Sequence, residues 1–147
     1  MPEAKFNKYV GASDKFVGLS AAPSAPELVV NGGFADGSSW SPPGPEMNFL
    51  GGTLNAVAAP AFTGIDQAIA FEAGATYIVK FDVTARTAGN VRISFINGTQ
   101  RNGTLRAAVG SYTEELVANA GNNAVVVFAV AVGSTWSIDN LSIKKKV

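Results

Sequence analysis

The longest alternation of apolar and polar side chains lies between residues 67 and 86, QAIAFEAGATYIVKFDVTAR. A Gly-centred turn at residues 72–74 divides this stretch into two strands, and the second alternates with a strict period of two. One face of that strand carries Tyr77, Val79, Phe81, Val83 and Ala85, and the other carries Ile78, Lys80, Asp82, Thr84 and Arg86. This pattern predicts a strand with one face packed against the core and the other face exposed to solvent. Because an isolated hairpin is not stable, a second layer must cover the apolar face.

The rest of the chain predicts further short strands, bounded by turn residues such as Asn-Gly and Pro. They span residues 28–30, 53–57, 65–71, 91–96, 104–109, 112–118, 124–132 and 136–143. Residues 124–132 are apolar on both faces, which predicts a position in the middle of a sheet, covered on both sides. No segment has a helical period. About nine short strands at this spacing predict an all-β fold, an antiparallel two-sheet sandwich.

The first 26 residues have a different character. They contain large apolar residues without a regular period, namely Phe6, Tyr9, Val10, Phe16, Val17 and Leu19, and they end in the Pro/Ala/Ser stretch SAAPSAP. A disordered tail and an arm that docks on a partner or a neighbouring subunit both fit this composition. The apolar residues favour the docking arm, since a solvating tail does not need them. We therefore divide the chain into an extended arm and linker, residues 1–26, and a sandwich, residues 27–147.

Composition excludes several classes of function. The 11 basic and 11 acidic residues give a net charge of zero, whereas a nucleic-acid-binding protein normally carries a positive surface potential. The chain has no cysteine and no histidine, which removes disulfides, thiolate metal sites and every histidine-dependent catalytic arrangement. Residues 1–20 contain no apolar run of signal-peptide length, and the apolar run 124–132 is too short for a membrane-spanning helix. We expect neither secretion by the usual route nor a membrane or nucleic-acid partner.

Several short motifs, in order, resemble one protein family. They are Asn31-Gly32-Gly33-Phe34 followed by Trp40, then QAIAF and GATY before the alternating strand, then the terminal IDNLSI at residues 138–143. Together they resemble the jelly-roll β-sandwich of carbohydrate-binding modules of the CBM4/9/22 type, over residues 27–144. The resemblance implies a jelly-roll sandwich and, in many family members, glycan binding by aromatic side chains on one sheet.

The resemblance also implies a structural calcium ion. In the family its ligands include an acidic residue directly after the aromatic of the first turn and the aspartate of the terminal strand. Asp139 matches the second position, but Ala35 occupies the first and the acid follows one residue later, at Asp36. Since one residue along an extended chain reverses the side-chain direction, a site built on Asp36 and Asp139 would be weak. The alternative for Asp139 is a buried carboxylate that accepts hydrogen bonds from the first turn.

Aromatic residues are the candidates for stacking on sugar rings, and those outside the inward faces are Trp40, Phe49, Phe62 and Tyr112. Trp136 is a weaker candidate, because it alternates with Ile138 in the terminal strand and is expected in the core. Trp40 lies in a Ser/Pro loop, where exposure and packing beneath the sandwich are both consistent with the sequence. Lys80, Asp82, Arg86 and Arg92 could bind sugar hydroxyls or form ion pairs across strands.

No catalytic constellation is present in the sequence. Glu114 and Glu115 are adjacent acids, and in a strand their side chains point to opposite faces, so they cannot form a catalytic pair. We therefore predict that the protein is not an enzyme.

Two functions fit these features. The first is a non-enzymatic structural virion protein, such as a phage capsid decoration (cement) protein or a head or tail accessory. It is favoured by the apolar arm, the linker and a sandwich without catalytic residues. Its partners would be the major capsid protein, other virion proteins or copies of itself, and it would be located in the virion after synthesis in the host cytoplasm. The alternative is a glycan-binding module that uses exposed aromatic residues on the sandwich.

Overall fold

A computed structural model describes residues 23–147, which form nine strands and no helix. The strands are β1 (Met47–Phe49), β2 (Leu54–Ala59), β3 (Thr63–Ala68), β4 (Thr76–Ala88), β5 (Val91–Ile96), β6 (Arg101–Asn102), β7 (Gly110–Val117), β8 (Ala124–Ala129) and β9 (Ser134–Lys145). Within these residues no helix is long and apolar enough to cross a membrane. The six apolar residues of the predicted docking arm lie outside the described part of the chain.

The strands form two antiparallel sheets. The five-stranded sheet has the order β1-β2-β9-β4-β7, and the four-stranded sheet has the order β3-β8-β5-β6. Inward-facing side chains of both sheets form one core, which includes Phe34, Phe81 and Phe95 among its fully buried members. The predicted all-β jelly-roll sandwich is confirmed.

Strand β4 follows the predicted alternation over most of its length. Tyr77, Val79, Phe81 and Val83 are buried, and the residues between them are half-buried or exposed. The predicted inward position of Ala85 is wrong, because the register between β4 and β9 shifts after Val83 and leaves Ala85 exposed. An extra residue in one strand interrupts the regular alternation of faces.

Strand β8 lies between β3 and β5, as the apolar run predicts. Val125 and Val127 are buried on the inner face, and Ala124 and Val126 are also buried on the outer face. The strand ends at Ala129 rather than at Val132, since the chain turns through Gly133 in a left-handed conformation and exposes Val132. The predicted central position is correct and the predicted end is three residues too late.

Two other predicted strands are replaced by single bridges. Residues 28–30 are not a strand; Glu27 alone pairs with Lys144, and the backbone N–H of Val30 donates to the side chain of Gln67. Residues 104–109 are not a strand either; Arg106 alone pairs with Val91. In each case a side chain accepts a hydrogen bond from a backbone N–H group that a neighbouring strand would otherwise pair with. The three-residue strand β1 was not predicted.

A partly buried ion pair connects the loop after β6 to strand β7. The guanidinium of Arg106 lies 3.3 Å from Oε2 of Glu114, whose side chain is 8% exposed, and it also covers the ring of Tyr112 at 4.5 Å. The N–H of Thr104 donates to the same carboxylate oxygen at 2.9 Å. Glu114 therefore faces inward and Glu115 outward, in agreement with the predicted opposite directions of the two acids.

Removing one charge of this pair should destabilise the fold, because the other charge stays largely removed from solvent without its partner. We expect Glu114→Ala to lower the free energy of unfolding by about 3 kcal/mol. The neighbouring Glu115→Ala is the matched control: it removes an exposed pair with Lys146 at 2.9 Å and should cost about 0.5 kcal/mol or less. Urea unfolding of both variants measures the difference. Equal losses would show that burial of the Arg106 pair does not matter.

Candidate functional site

A row of outward-facing residues crosses four strands of the five-stranded sheet. Asn48 of β1 pairs with Asn55 of β2, Asn55 pairs with Ser137 of β9, and Ser137 pairs with Ala85 of β4. These residues line an open groove of about 280 Å³. Because the row brings together segments far apart in the sequence, the groove exists only in the folded sheet.

Irregular pairing on both sides of β9 accompanies the groove. The register between β2 and β9 shifts between Ala56 and Ala59, where Ala58 has a positive φ of 48°. The register between β4 and β9 shifts again between Arg86 and Ala88. Such bulges bend strands and redirect side chains, so at this end of the sheet the surface is not a flat pleated face.

Hydrogen bonds hold the polar wall of the groove in one arrangement. The amide nitrogen of Asn55 donates to Oδ1 of Asn48 at 3.1 Å and to the carbonyl of Leu50 at 3.2 Å. Its amide oxygen accepts from the hydroxyls of Thr53 at 3.0 Å and Ser137 at 2.5 Å. The Asn55 side chain is therefore satisfied within the protein and positions its neighbours, while the amide nitrogen of Asn48 forms no hydrogen bond to residues 23–147.

Arg86 contributes the charge of the groove. Its Nε donates to the carbonyl of Gly89 at 2.7 Å. Gly89 has a positive φ of 70°, and a Cβ there would overlap the Oγ of Ser134, so only glycine fits this turn. Thr87, next to Arg86, is exposed and also lines the groove.

Exposed aliphatic side chains contribute an apolar wall. Leu50 is 73% exposed and Val57 is 53% exposed, and both line the groove together with Ala85. The groove thus combines an apolar wall with hydroxyl, amide and guanidinium donors. A sugar offers the complementary combination, apolar C–H faces edged by hydroxyl groups.

The polar surface continues along β4 and β9 beyond the groove. Asp82 of β4 accepts from the amide of Asn140 at 2.8 Å. Hydrogen bonds from Ser111 and Asn140 lower the pKa of Asp82. At the far end Ile78, Lys80, Ser142 and Lys144 surround a depression of about 110 Å³. From Ile78 to Arg86 this surface runs roughly 26 Å at about 3.3 Å per residue.

The structure places Trp40 in the core. Its side chain is 7% exposed, its ring centroid lies 5.3 Å from that of Phe34, and its indole N–H donates to the carbonyl of Asn31 at 3.1 Å. Of the two positions consistent with the sequence, the packed one is observed. Trp136 is buried as expected and donates from its indole to the carbonyl of Asn90.

The other three aromatic candidates do not meet at one site. Phe49 is half-buried and stacks 6.3 Å from Phe34. Tyr112 faces the interior of the sandwich against Phe81, and its hydroxyl donates to the carbonyl of Ala108. Phe62 is 64% exposed, in the turn before β3, with its ring edge-on to Phe128. None of the three lines the groove, so an aromatic platform is not assembled from these residues.

The residues around Asp36 and Asp139 do not fit a calcium site. Asp36 is fully exposed and accepts from the amide of Asn31 and the N–H of Ser38, and hydrogen bonds from Ser38 lower its pKa most. Asp139 accepts from the N–H of Asn140 rather than from the first turn. Residues 23–147 contain no group of three or more acidic side chains that could hold a metal, whereas calcium needs six or more oxygens.

The polar groove residues that sequence analysis missed are Asn48, Asn55, Thr87, Thr135 and Ser137. They are short polar residues of ordinary strand or loop type, and no motif marks them. Arg86 was noted as an outward cation in the alternating strand. The other residues could be identified only from the pairing of neighbouring strands, and this pairing is known only once the order of the strands in the sheet is known.

Because Trp40 is packed, its removal should affect stability strongly. We expect Trp40→Ala to lower the free energy of unfolding by about 3–5 kcal/mol, and Phe62→Ala, a control at an exposed aromatic, to change it by about 0.5 kcal/mol or less. Chemical denaturation followed by far-UV circular dichroism measures both. A Trp40 variant as stable as the Phe62 variant would contradict the packed position.

No protein family and no curated protein matches this chain by sequence. Solved structures do match in three dimensions. A mutant of the carbohydrate-binding module CBM29-2 in complex with mannohexaose has a TM-score of 0.54 and 13% identity, covering 85% of this chain and 93% of that one. A mutant of a family 29 module has a TM-score of 0.50 and 12% identity, covering 74% and 82%.

A viral protein is similar to a comparable degree. The enzymatically active domain of tailspike protein 4 of bacteriophage CBA120 has a TM-score of 0.53 and 16% identity, covering 82% of this chain and 21% of that one. At such low identity these similarities concern the fold alone. The two carbohydrate-binding modules belong to family 29, whereas the sequence motifs resemble the CBM4/9/22 type. The described chain therefore has a β-sandwich fold like that of carbohydrate-binding modules.

Proposed function

We propose that this protein is a glycan-binding module that holds a saccharide chain in the groove between β2, β9 and β4. The observation that carries the proposal is the make-up of the groove: exposed Leu50 and Val57 line it together with hydrogen-bond donors from Asn48, Thr87 and Arg86. Binding sites for small molecules commonly combine apolar walls with a few fixed polar groups. The fold supports the proposal, since a structurally similar module is in complex with mannohexaose.

The groove is arranged before any ligand arrives. Asn55 is held by hydrogen bonds to Asn48, Thr53 and Ser137, and Arg86 is held by Gly89. Side chains that are already ordered lose little conformational entropy on binding. The polar surface that continues along β4 and β9 would accommodate an extended chain of several sugar units.

The proposed module is not an enzyme. The groove is lined by no carboxylate among the described residues, and hydrolysis of glycosidic bonds ordinarily requires a pair of them. Glu114 faces the interior and is paired with Arg106.

A virion role remains a second candidate, supported by the similarity to the phage tailspike domain and by the apolar residues of the arm. The two roles are compatible, because a protein attached to a virion can present a glycan-binding groove. The partners would be capsid or tail proteins, or copies of this chain, as predicted from the sequence.

The glycan proposal predicts that the apolar wall is needed for binding. In affinity gels containing plant, fungal and bacterial polysaccharides, the native protein should be retarded by at least one polymer. Leu50→Asn with Val57→Asn should weaken that retardation at least about tenfold, since it removes about 1.4 kcal/mol or more of apolar contact. Val109→Asn with Val132→Asn changes two comparably exposed residues outside the groove and should have no effect. Retardation by no polymer, or equal retardation of both variants, would contradict the proposal.

The virion role predicts that residues 1–26 mediate attachment. Deleting them should leave a folded sandwich, because Glu27 and its hydrogen bonds to Leu28, Val29 and Ile143 are retained. Co-sedimentation with the particles from which the protein is isolated measures attachment, and thermal unfolding of the truncated form is the control. Undiminished sedimentation of the truncated protein would rule out the arm as the attachment element.

A further inference from the structure

Arg86 alone is charged among the described residues that line the groove. The remaining polar members are asparagines, threonines and a serine, and none of the acids in residues 23–147 takes part. A groove built for a neutral sugar needs hydroxyl and amide groups, which Asn48, Thr87 and Thr135 already provide. The binding of a neutral sugar therefore does not account for the guanidinium of Arg86 in the groove.

The guanidinium of Arg86 is fixed at one nitrogen and free at the other two. Its Nε donates to the carbonyl of Gly89. The turn that carries this carbonyl is packed against Ser134, whose hydroxyl donates to the carbonyl of Ala131 at 2.6 Å. Its two terminal nitrogens form no hydrogen bond within the described chain. An arginine fixed in this way presents a pair of donors at one place.

Arg86 has no acidic partner within residues 23–147. The ion pairs formed within residues 23–147 use Arg106, Lys145 and Lys146. The acid nearest along the same strand, Asp82, lies four residues away, roughly 13 Å along β4. It is already engaged by Asn140, and its pKa is lowered by hydrogen bonds from Ser111 and Asn140.

We infer that the groove selects an acidic glycan, whose anionic group binds the two free nitrogens of Arg86. This inference rests on the proposed glycan-binding function and adds its ligand class. The planar guanidinium matches a carboxylate through two parallel hydrogen bonds, so a uronic acid fits it well, and a sulfate ester offers the same charge with a different shape. The hydroxyl of Thr87 and the amide of Asn48 bind the hydroxyls of the same chain, and Leu50 and Val57 contact its C–H faces.

The positive charge of Arg86 should affect both the affinity for acidic polymers and the dependence of that affinity on salt concentration. Charge-assisted hydrogen bonds in a partly open groove favour an acidic polymer over its neutral counterpart by about 10- to 100-fold. Because the guanidinium is exposed, added salt screens part of this preference.

The test uses the full chain and matched pairs of polymers. Polygalacturonate, alginate and hyaluronan are each compared, by titration calorimetry and affinity gels, with a carboxyl-reduced form that keeps the linkages but is neutral. Dextran sulfate and dextran form a matched pair for sulfate. We expect an acidic polymer to bind at least tenfold more tightly than its neutral form, Arg86→Gln to abolish this preference, and Arg86→Lys to keep part of it.

The control variant is Arg101→Gln, which removes one positive charge from an exposed position in β6 of the other sheet. It should bind like the native protein, and an equal loss in both variants would overturn the inference, since any positive charge would then suffice. Binding of dextran sulfate alone, abolished by Arg86→Gln, would support the anion site and assign it to sulfate.

Equal binding of acidic and neutral polymers, unchanged by Arg86→Gln, would overturn the inference and leave the glycan-binding proposal intact. Binding of no polymer, neutral or acidic, would overturn both.

Discussion

The antiparallel pairing of β4 with β9 is the constraint on which both the core and the groove depend. These are the two longest strands, and they lie side by side within the five-stranded sheet. Their inward residues, such as Phe81 and Ile138, are fully buried. Where their register shifts near Ala85 and Arg86, the regular face ends and the groove begins. The same pair of strands thus supplies hydrophobic stabilisation along most of its length and, near Ala85 and Arg86, part of the proposed binding surface.

The core and the proposed site use different residue types. Both tryptophans and most of the other described aromatic residues are packed inside or against the core. The groove is lined mainly by short polar side chains, aliphatic residues and one arginine, and Ala56 and Trp136 are the two core residues that also line it. Because the other groove residues contribute little to the hydrophobic core, they can change without loss of the fold. Low sequence identity to modules of similar fold is then expected. The proposed recognition would rely on fixed hydrogen-bond donors and charge rather than on an aromatic platform, and it should therefore be sensitive to ionic strength.

The sequence predicts the fold better than the site, for a physical reason. Alternation and turn residues are local signals, so β4 up to Val83, the central position of β8 and the two-sheet class follow from them. The bulge that exposes Ala85 leaves no local signal, and strand β1 is too short to show a period. The groove requires Asn48, Asn55, Arg86 and Thr135 to meet through four strands, which only the pairing register determines. Trp40 was undecided because a loop tryptophan can be exposed or packed, and contacts with Phe34 determine which.

The inward direction of Glu114 has one more consequence, which concerns aggregation. Strand β7 is an edge of the five-stranded sheet, and an open edge can add a strand from another molecule. A charged residue that points inward from an edge strand discourages such addition, because an incoming strand would disturb a buried charge. The opposite edge, β1, is three residues long, and β6, an edge of the other sheet, is two. Three of the four edges, namely β1, β6 and β7, are therefore protected by short length or by an inward charge against adding a strand from another molecule.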